Sequence, residues 1–242
     1  MQVECRHCPL RKHDIFSSVR PDELDAIQRF KAGEMQVAPQ TSILMEGSSS
    51  PQLYTALSGT GLRYKTLENG RRHVISLIFP GDFIGLQAGV MGRMNHSVES
   101  ATAMTLCVFN RSDFWQFFRT YPERAYDIVW LAATEERFLG EALTNIGQRS
   151  APARMAWALL RIYMRMDALG LTRDKTCALP FRQQDIADAL GLSLVHTNKT
   201  LARLREKSLV QWSDGVLQII DIHGLAELAG TTTKPPPVRP LI

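Results

Sequence analysis

The segment from Gln183 to Ala202, QQDIADALGLSLVHTNKTLA, constrains this chain more than any other. Ile186, Ala187, Leu190 and Leu192 are apolar at helical spacings around Gly191, and glycine lets one short helix turn sharply into the next. The pattern predicts a helix-turn-helix whose second helix exposes Val195, His196, Asn198 and Lys199, a face that fits a DNA major groove. Downstream, the apolar runs Leu209 to Trp212 and Val216 to Ile220 bracket Ser213-Asp214-Gly215, a hairpin signal, so a β-wing follows the helix pair. From Lys199 to Lys207 the bases Lys199, Arg203, Arg205 and Lys207 stand against one acid, Glu206. That balance suits phosphate neutralisation, with a solvated basic face as the alternative.

A chain of 242 residues, 45% apolar, can bury a full core and predicts two domains of ordinary size. No apolar run approaches the roughly 18 residues of a membrane span, and MQVECRHCPLRKHD lacks the apolar centre of a signal peptide. A cytoplasmic protein with no membrane partner is expected. The net charge of +4 permits a nucleic-acid partner but is too mild to require one, so the position of the bases carries the argument. Four cysteines, Cys5, Cys8, Cys107 and Cys177, are too few for a disulfide framework and would be thiols in a reducing compartment, open to ligation, sensing or no role. No Gly-x-Ser-x-Gly elbow, phosphate loop or HExxH motif occurs, and Glu135-Glu136 lies in a helical run that packing explains. An enzyme is not expected.

Residues 1–16 read as a polar, cysteine-bearing arm, after which Pro21-Asp22-Glu23-Leu24 opens a helix with Leu24, Ile27 and Phe30 on one face. From Met35 to Asn110 the pattern changes to short apolar runs, at 42–45, 53–57, 62–67, 73–79 and 105–109, which predict strands. Asn69-Gly70 is a two-residue hairpin signal and Pro80-Gly81-Asp82 a second turn, so the strands build a sandwich or barrel. Pro122 then opens a long helix to about Gly147. Ile128, Leu131, Phe138, Leu139 and Ala142 form an apolar stripe widened by Leu143 and Ile146, broad enough to predict a dimer interface; packing on the chain's own β-domain is the alternative. Residues 147–152 form a hinge, Met155, Trp157, Leu159, Leu160 and Tyr163 begin the second domain, and the proline-rich tail 231–242 is expected to be disordered.

This order, with the hairpin ENGRRHVISLIFPGDFIGL (Glu68 to Leu86) and the helix pair QQDIADALGLSLVHTNKTLARLR (Gln183 to Arg205), resembles the catabolite activator and fumarate–nitrate-reductase regulator (CRP/FNR) family of bacterial transcription factors over about residues 16–224. The resemblance implies an α+β fold: a β-roll sensor domain at 17–120, a dimerisation helix at 121–147 and a winged helix-turn-helix at 148–230. It also implies a homodimer whose recognition helices read a two-fold symmetric site on double-stranded DNA, half-sites about one helical turn apart, with RNA polymerase as a partner of an activator.

Three departures qualify what the family implies. Cyclic AMP-binding members place a Glu after the Gly-Asp-Phe-Ile-Gly stretch and an Arg-Ser pair on the phosphate, whereas this chain has Leu86 and Gln87, then His96-Ser97, so cyclic AMP is not the expected signal. Arg93 is the nearest substitute. Oxygen-sensing members hold a 4Fe–4S cluster on four cysteines, and here Cys5, Cys8 and Cys107 match in place while Asp14 stands at a spacing where a further cysteine occurs. Those residues imply an iron–sulfur site, with zinc on the three thiols and His7 or His13 as the alternative, an inert surface pair and a core Cys107 as the plain one, and Cys177 outside the set. On the recognition helix, Val195 and Lys199 replace the family's Glu and Arg, which implies a different half-site, and Thr197 and Thr200 fall where inward apolar residues are usual.

Overall fold

Branched and aromatic residues recur between turn residues through positions 31–110, and runs of that kind make strands. In the computed structural model, which describes residues 2–242, these strands form two antiparallel four-stranded sheets. One runs in the order β1 (Lys31–Val37), β8 (Met104–Asn110), β3 (Gln52–Ser58), β6 (Phe83–Ile84). The other is β2 (Ser42–Leu44), β7 (Ser97–Ser100), β4 (Gly61–Thr66), β5 (Arg72–Ile78). Met104, Leu106 and Val108 of β8 join Val37, Tyr54, Ala56 and Ile84 of their own sheet and Leu44, Ile78 and Val98 of the other in one core.

The alternation that points those residues inward sends Cys107 and Phe109 to the opposite face of β8. Helices α1 (Pro21–Phe30) and α3 (Arg111–Thr120) and the first turns of α4 (Pro122–Gln148) cover that face. Phe30 stacks on Phe117 at 4.4 Å and on Phe109 at 4.8 Å, and Phe83 and Phe114 extend the aromatic layer. Ile128 and Leu131 are buried in this layer, which corrects their assignment to a dimer interface: a core of phenylalanines on the same sheet takes that side of the helix.

The Pro80-Gly81-Asp82 turn has a structural load. Gly81 adopts φ +86°, and a Cβ there would lie 2.2 Å from Cζ of Phe16, so only glycine admits the Phe16 ring. The end of the chain also departs from the disorder expected of it. Val238–Ile242 belongs to the same unit as the β-roll, with Leu241 and Ile242 buried, because two aliphatic side chains find a dry seat that proline-rich composition does not disclose.

A second unit comprises Glu136–Pro237. It holds the later turns of α4, then α5 (Ala151–Ala168), β9 (Thr172–Arg173), β10 (Thr176–Ala178), α6 (Gln183–Leu190), α7 (Leu194–Glu206), β11 (Val210–Ser213), β12 (Val216–Ile219) and α8 (Ile222–Ala229). The sheet order is β11-β12-β10-β9, and Asp214 and Gly215, both at positive φ, close the β11–β12 wing as a two-residue turn. Met155, Leu159, Leu160, Ile186, Leu190, Leu204, Leu217 and Leu225 are buried in this unit, as is Cys177 of β10, whose thiol burial pushes up to about 11. Phe138, half-buried in the single chain, stacks at 6.1 Å on Trp157 under the guanidinium of Arg161. Among the described residues, no helix is long and apolar enough to cross a membrane.

Candidate nucleic-acid interface and cysteine-lined pocket

Helix α6 is opened by Arg182, whose backbone N–H donates to Asp185 Oδ2 at 2.9 Å while its guanidinium grips the same carboxylate, and it is closed by Gly191 at φ +65°. Ser193 then caps α7, its hydroxyl oxygen accepting from the backbone N–H of His196 at 3.2 Å. These two ends fix the turn, and the periodicity of α7 fixes what it presents. Thr197, Thr200 and Leu204 are buried, so Val195, His196, Asn198, Lys199, Arg203 and Arg205 are all exposed. The two threonines bury their methyls, and their hydroxyls have no hydrogen-bond partner, a polar cost at a position where an aliphatic residue would pack freely.

In the first unit the arm is clamped to the roll. The Cys5 N–H donates to Gln28 Oε1 at 2.7 Å, and the Arg6 guanidinium forks onto Asp25 of α1 at 2.7–2.9 Å. The buried Lys31 ammonium donates to the carbonyl of Val3 and to Glu34 Oε1 at 2.5 and 2.6 Å. Burial is the largest single influence on Lys31 and works against its charge, but the hydrogen bond to Glu34 together with the Coulombic pull of Cys107, Glu34 and Cys5 leaves its pKa raised.

These clamps bring Cys5 and Cys8 to Cys107, whose neighbours in register are Glu34 on β1 and Thr55 on β3. The three thiols share a cavity of about 20 Å³ with Lys31, Thr55, Phe109, Leu241 and Ile242. That volume holds about one water. Burial pushes the Cys107 thiol up to about 12, against the opposing pull of Lys31, and raises Cys5 as well, so neither is a thiolate at neutral pH.

Tested against this geometry, an iron–sulfur cluster or a tetrahedral zinc ion does not fit. Among the described residues no three His, Cys, Asp or Glu side chains stand close enough to hold a metal ion. Asp14 is exposed and outside the pocket, and His7 faces solvent against Glu4 at 3.3 Å. The spacing that suggested Asp14 as a ligand runs through a helical turn, Pro9–Lys12, that carries it past the cavity.

The positions weighed for a cyclic nucleotide are likewise engaged. Gln87 Oε1 accepts from the Asn95 N–H at 3.0 Å, Arg93 is exposed, and burial, with help from Arg63, lowers the His96 pKa to about 4, leaving a neutral ring. A buried guanidinium in this region is one that reading the sequence missed. Arg63 donates to Ser76 Oγ at 3.0 Å, to the Phe83 carbonyl at 2.9 Å and to Glu135 of α4 at 3.0 Å. Nothing in its strand marks it, since an arginine at period two reads as a solvent-facing residue.

Along α4, Leu139 and Leu143 are exposed one turn apart on the second unit and Tyr126 and Val129 on the first, while Ala142 is half-buried. Of the predicted interface residues, Leu139 is among these exposed ones.

Comparison with known proteins places these units. Residues 153–228 match the Crp-like helix-turn-helix domain and residues 34–121 the cyclic nucleotide-binding domain. The chain is 32% identical to the transcriptional activatory protein AadR of Rhodopseudomonas palustris over 87% of each chain, and 30% identical to the nitrogen fixation regulation protein FixK of Bradyrhizobium diazoefficiens over 93% of each. The solved structure of FixK2 from Bradyrhizobium japonicum shares the fold, with a TM-score of 0.75 and 23% identity over 82% of this chain and 98% of that one. The protein therefore belongs to the CRP/FNR family of DNA-binding transcription regulators, which are not enzymes.

Proposed function

We propose that the protein acts in the cytoplasm as a homodimer that reads a two-fold symmetric DNA site with α7 and adjusts its affinity through the thiols of the first unit. The observation that carries the DNA reading is the segregation of α7: two threonines and Leu204 inward, and Val195, His196, Asn198, Lys199, Arg203 and Arg205 outward. In this reading Lys199 donates to guanine O6 or N7, Val195 meets a thymine methyl, and Arg203 and Arg205 hold phosphates near the end of the helix. The second copy is expected on α4 over the exposed Leu139 and Leu143. RNA polymerase joins these partners where the regulator activates. Filter binding of genomic DNA fragments tests the reading: recovery of a fragment subset with a shared inverted repeat supports it, and retention of all fragments alike or none refutes it.

Membership of this family fits a regulatory ligand or cluster in general. The finer reading supported by the pocket is thiol chemistry, because three cysteines from two distant stretches of chain converge there. Because burial keeps Cys5 and Cys107 protonated, hydrogen peroxide would react first at the half-buried Cys8, and a second of these thiols would then close a disulfide, two electrons and two protons from the pair turning the peroxide into two waters. DNA affinity is expected to differ between peroxide-treated and reduced protein in the wild type and in Cys177→Ser, and not in Cys107→Ser. Equal affinities in the wild type leave a regulator that does not respond at this pocket.

A further inference from the structure

The seat of Val238–Ile242 is a built one. Its backbone runs beside the arm as a parallel bridge, the Arg239 N–H donating to the Ile15 carbonyl at 2.8 Å and the Ser17 N–H to the Arg239 carbonyl at 2.9 Å. The Arg239 guanidinium donates to Asp82 Oδ1 at 2.6 Å, and both groups are largely buried. The Thr55 hydroxyl donates to the main-chain oxygen of Ile242 at 2.7 Å. Leu241 and Ile242 are 2% and 5% exposed, and both line the cavity of Cys5, Cys8 and Cys107. The seat is therefore chemically specific: a carboxylate for a guanidinium, a hydroxyl for a main-chain oxygen, and a dry floor for two aliphatic side chains.

The occupant is also removable in a way the rest of the core is not. It is reached through 231–237, TTTKPPP, where three prolines in succession favour an extended chain and hold no tertiary core of their own. Lifting it breaks four hydrogen bonds and exposes two aliphatic side chains, and it leaves the strands of the roll paired. Such a segment opens far more often than the sheet beneath it.

We propose that Val238–Ile242 is a releasable plug of the cysteine-lined pocket: with the plug seated Cys5 is buried and Cys8 and Cys107 are half-buried, so seating of the plug excludes any reagent, oxidant or thiophilic ion from Cys5 and from the space the three thiols share. The pocket then has a competitor supplied by the chain itself, and a cavity with room for one water becomes a site only when the plug leaves. The inference concerns access to the thiols and stands whether or not those thiols set DNA affinity.

The test is the rate of reaction with dithiobisnitrobenzoate, in a Cys177→Ser background, for the full chain and for a chain ending at Pro237. The slow phase, which belongs to the buried Cys5, is expected to run at least about tenfold faster in the shortened chain, since access to that thiol then no longer waits on local opening. A peptide of residues 231–242 added at excess should return the slow rate. Because the shortening can loosen the roll, charge reversal supplies a second handle: Arg239→Asp should accelerate the reaction, and Arg239→Asp with Asp82→Arg should slow it again. Equal rates for the full and shortened chains overturn the proposal, as does a fast rate that neither the peptide nor the double reversal restores.

Discussion

Replacing Leu143 by Glu tests the dimer surface where the physical argument is sharpest. Leu143 is 71% exposed in the single chain, so burying it against a second copy recovers most of the 1.5–3 kcal/mol that a fully buried leucine contributes, about 1–2 kcal/mol. A two-fold interface uses the residue twice, which makes about 2–4 kcal/mol. The variant also brings two carboxylates toward each other, adding about 1 kcal/mol of repulsion. A total of about 3–5 kcal/mol weakens the dimer roughly a hundred- to several-thousand-fold. Sedimentation velocity across a concentration series reads this directly, and the melting temperature of the variant at low concentration should match that of the dissociated wild type because an exposed position carries little of the fold. Phe138→Glu is the contrast: it removes a ring stacked on Trp157 and should destabilise the second unit by about 2 kcal/mol or more. A Leu143→Glu protein that sediments as the wild type does would refute the surface assigned on α4.

The remaining expectations are narrower. Calorimetry with cyclic AMP should show no binding, since His96 is neutral, Gln87 is engaged and Arg63 is held by Ser76, Glu135 and the Phe83 carbonyl; micromolar affinity would overturn that account. Alkaline pH should destabilise the first unit. The folded Cys107 pKa of about 12 lies above its ordinary 9.0, so the native state holds the proton more tightly, and the stability present below pH 9 is lost as pH rises toward 12. Denaturant melts over that range should show the loss in the wild type and a smaller one in Cys107→Ala; parallel losses would place the titrating group elsewhere.

Much of the fold was legible because turns announce themselves. Gly191 and the Asp214-Gly215 pair need positive φ, and they located the helix pair and the wing without any knowledge of what packs where. The outward face of α7 followed from helical periodicity. The short strand β7 was not legible, since Val98 is its only apolar residue and one residue cannot show alternation. Nor was α4, where three different apolar surfaces lie on one helix: Ile128 and Leu131 toward the β-roll, Phe138 toward Trp157, and Leu143 toward solvent. Periodicity merges these into one broad stripe because it counts apolar residues and not their partners.

The pocket was half legible for a similar reason. The family resemblance, not the spacing alone, implied that Cys5 and Cys8 meet Cys107, and the register of Cys107 between Glu34 and Thr55 gives that convergence a physical basis. What occupies the space between them is set by Lys31 and by Leu241 and Ile242, the last two at the opposite end of the chain. A buried ammonium and a returning segment leave no local pattern, because what stabilises each lies far away in sequence.

The central claim, that α7 reads DNA, is tested most directly by fluorescence anisotropy on the selected site over a series of salt concentrations, comparing wild type, Lys199→Ala and Arg203→Ala. Arg203→Ala should weaken all sequences alike and reduce the slope of log affinity against log salt by about 1.8, one lost phosphate contact of about 0.9 in each protomer. Lys199→Ala should keep most of its affinity for mismatched DNA while losing about 1–3 kcal/mol of discrimination at one base pair per half-site. Unchanged affinity, slope and base preference in both variants would contradict the assignment of α7 as the recognition helix.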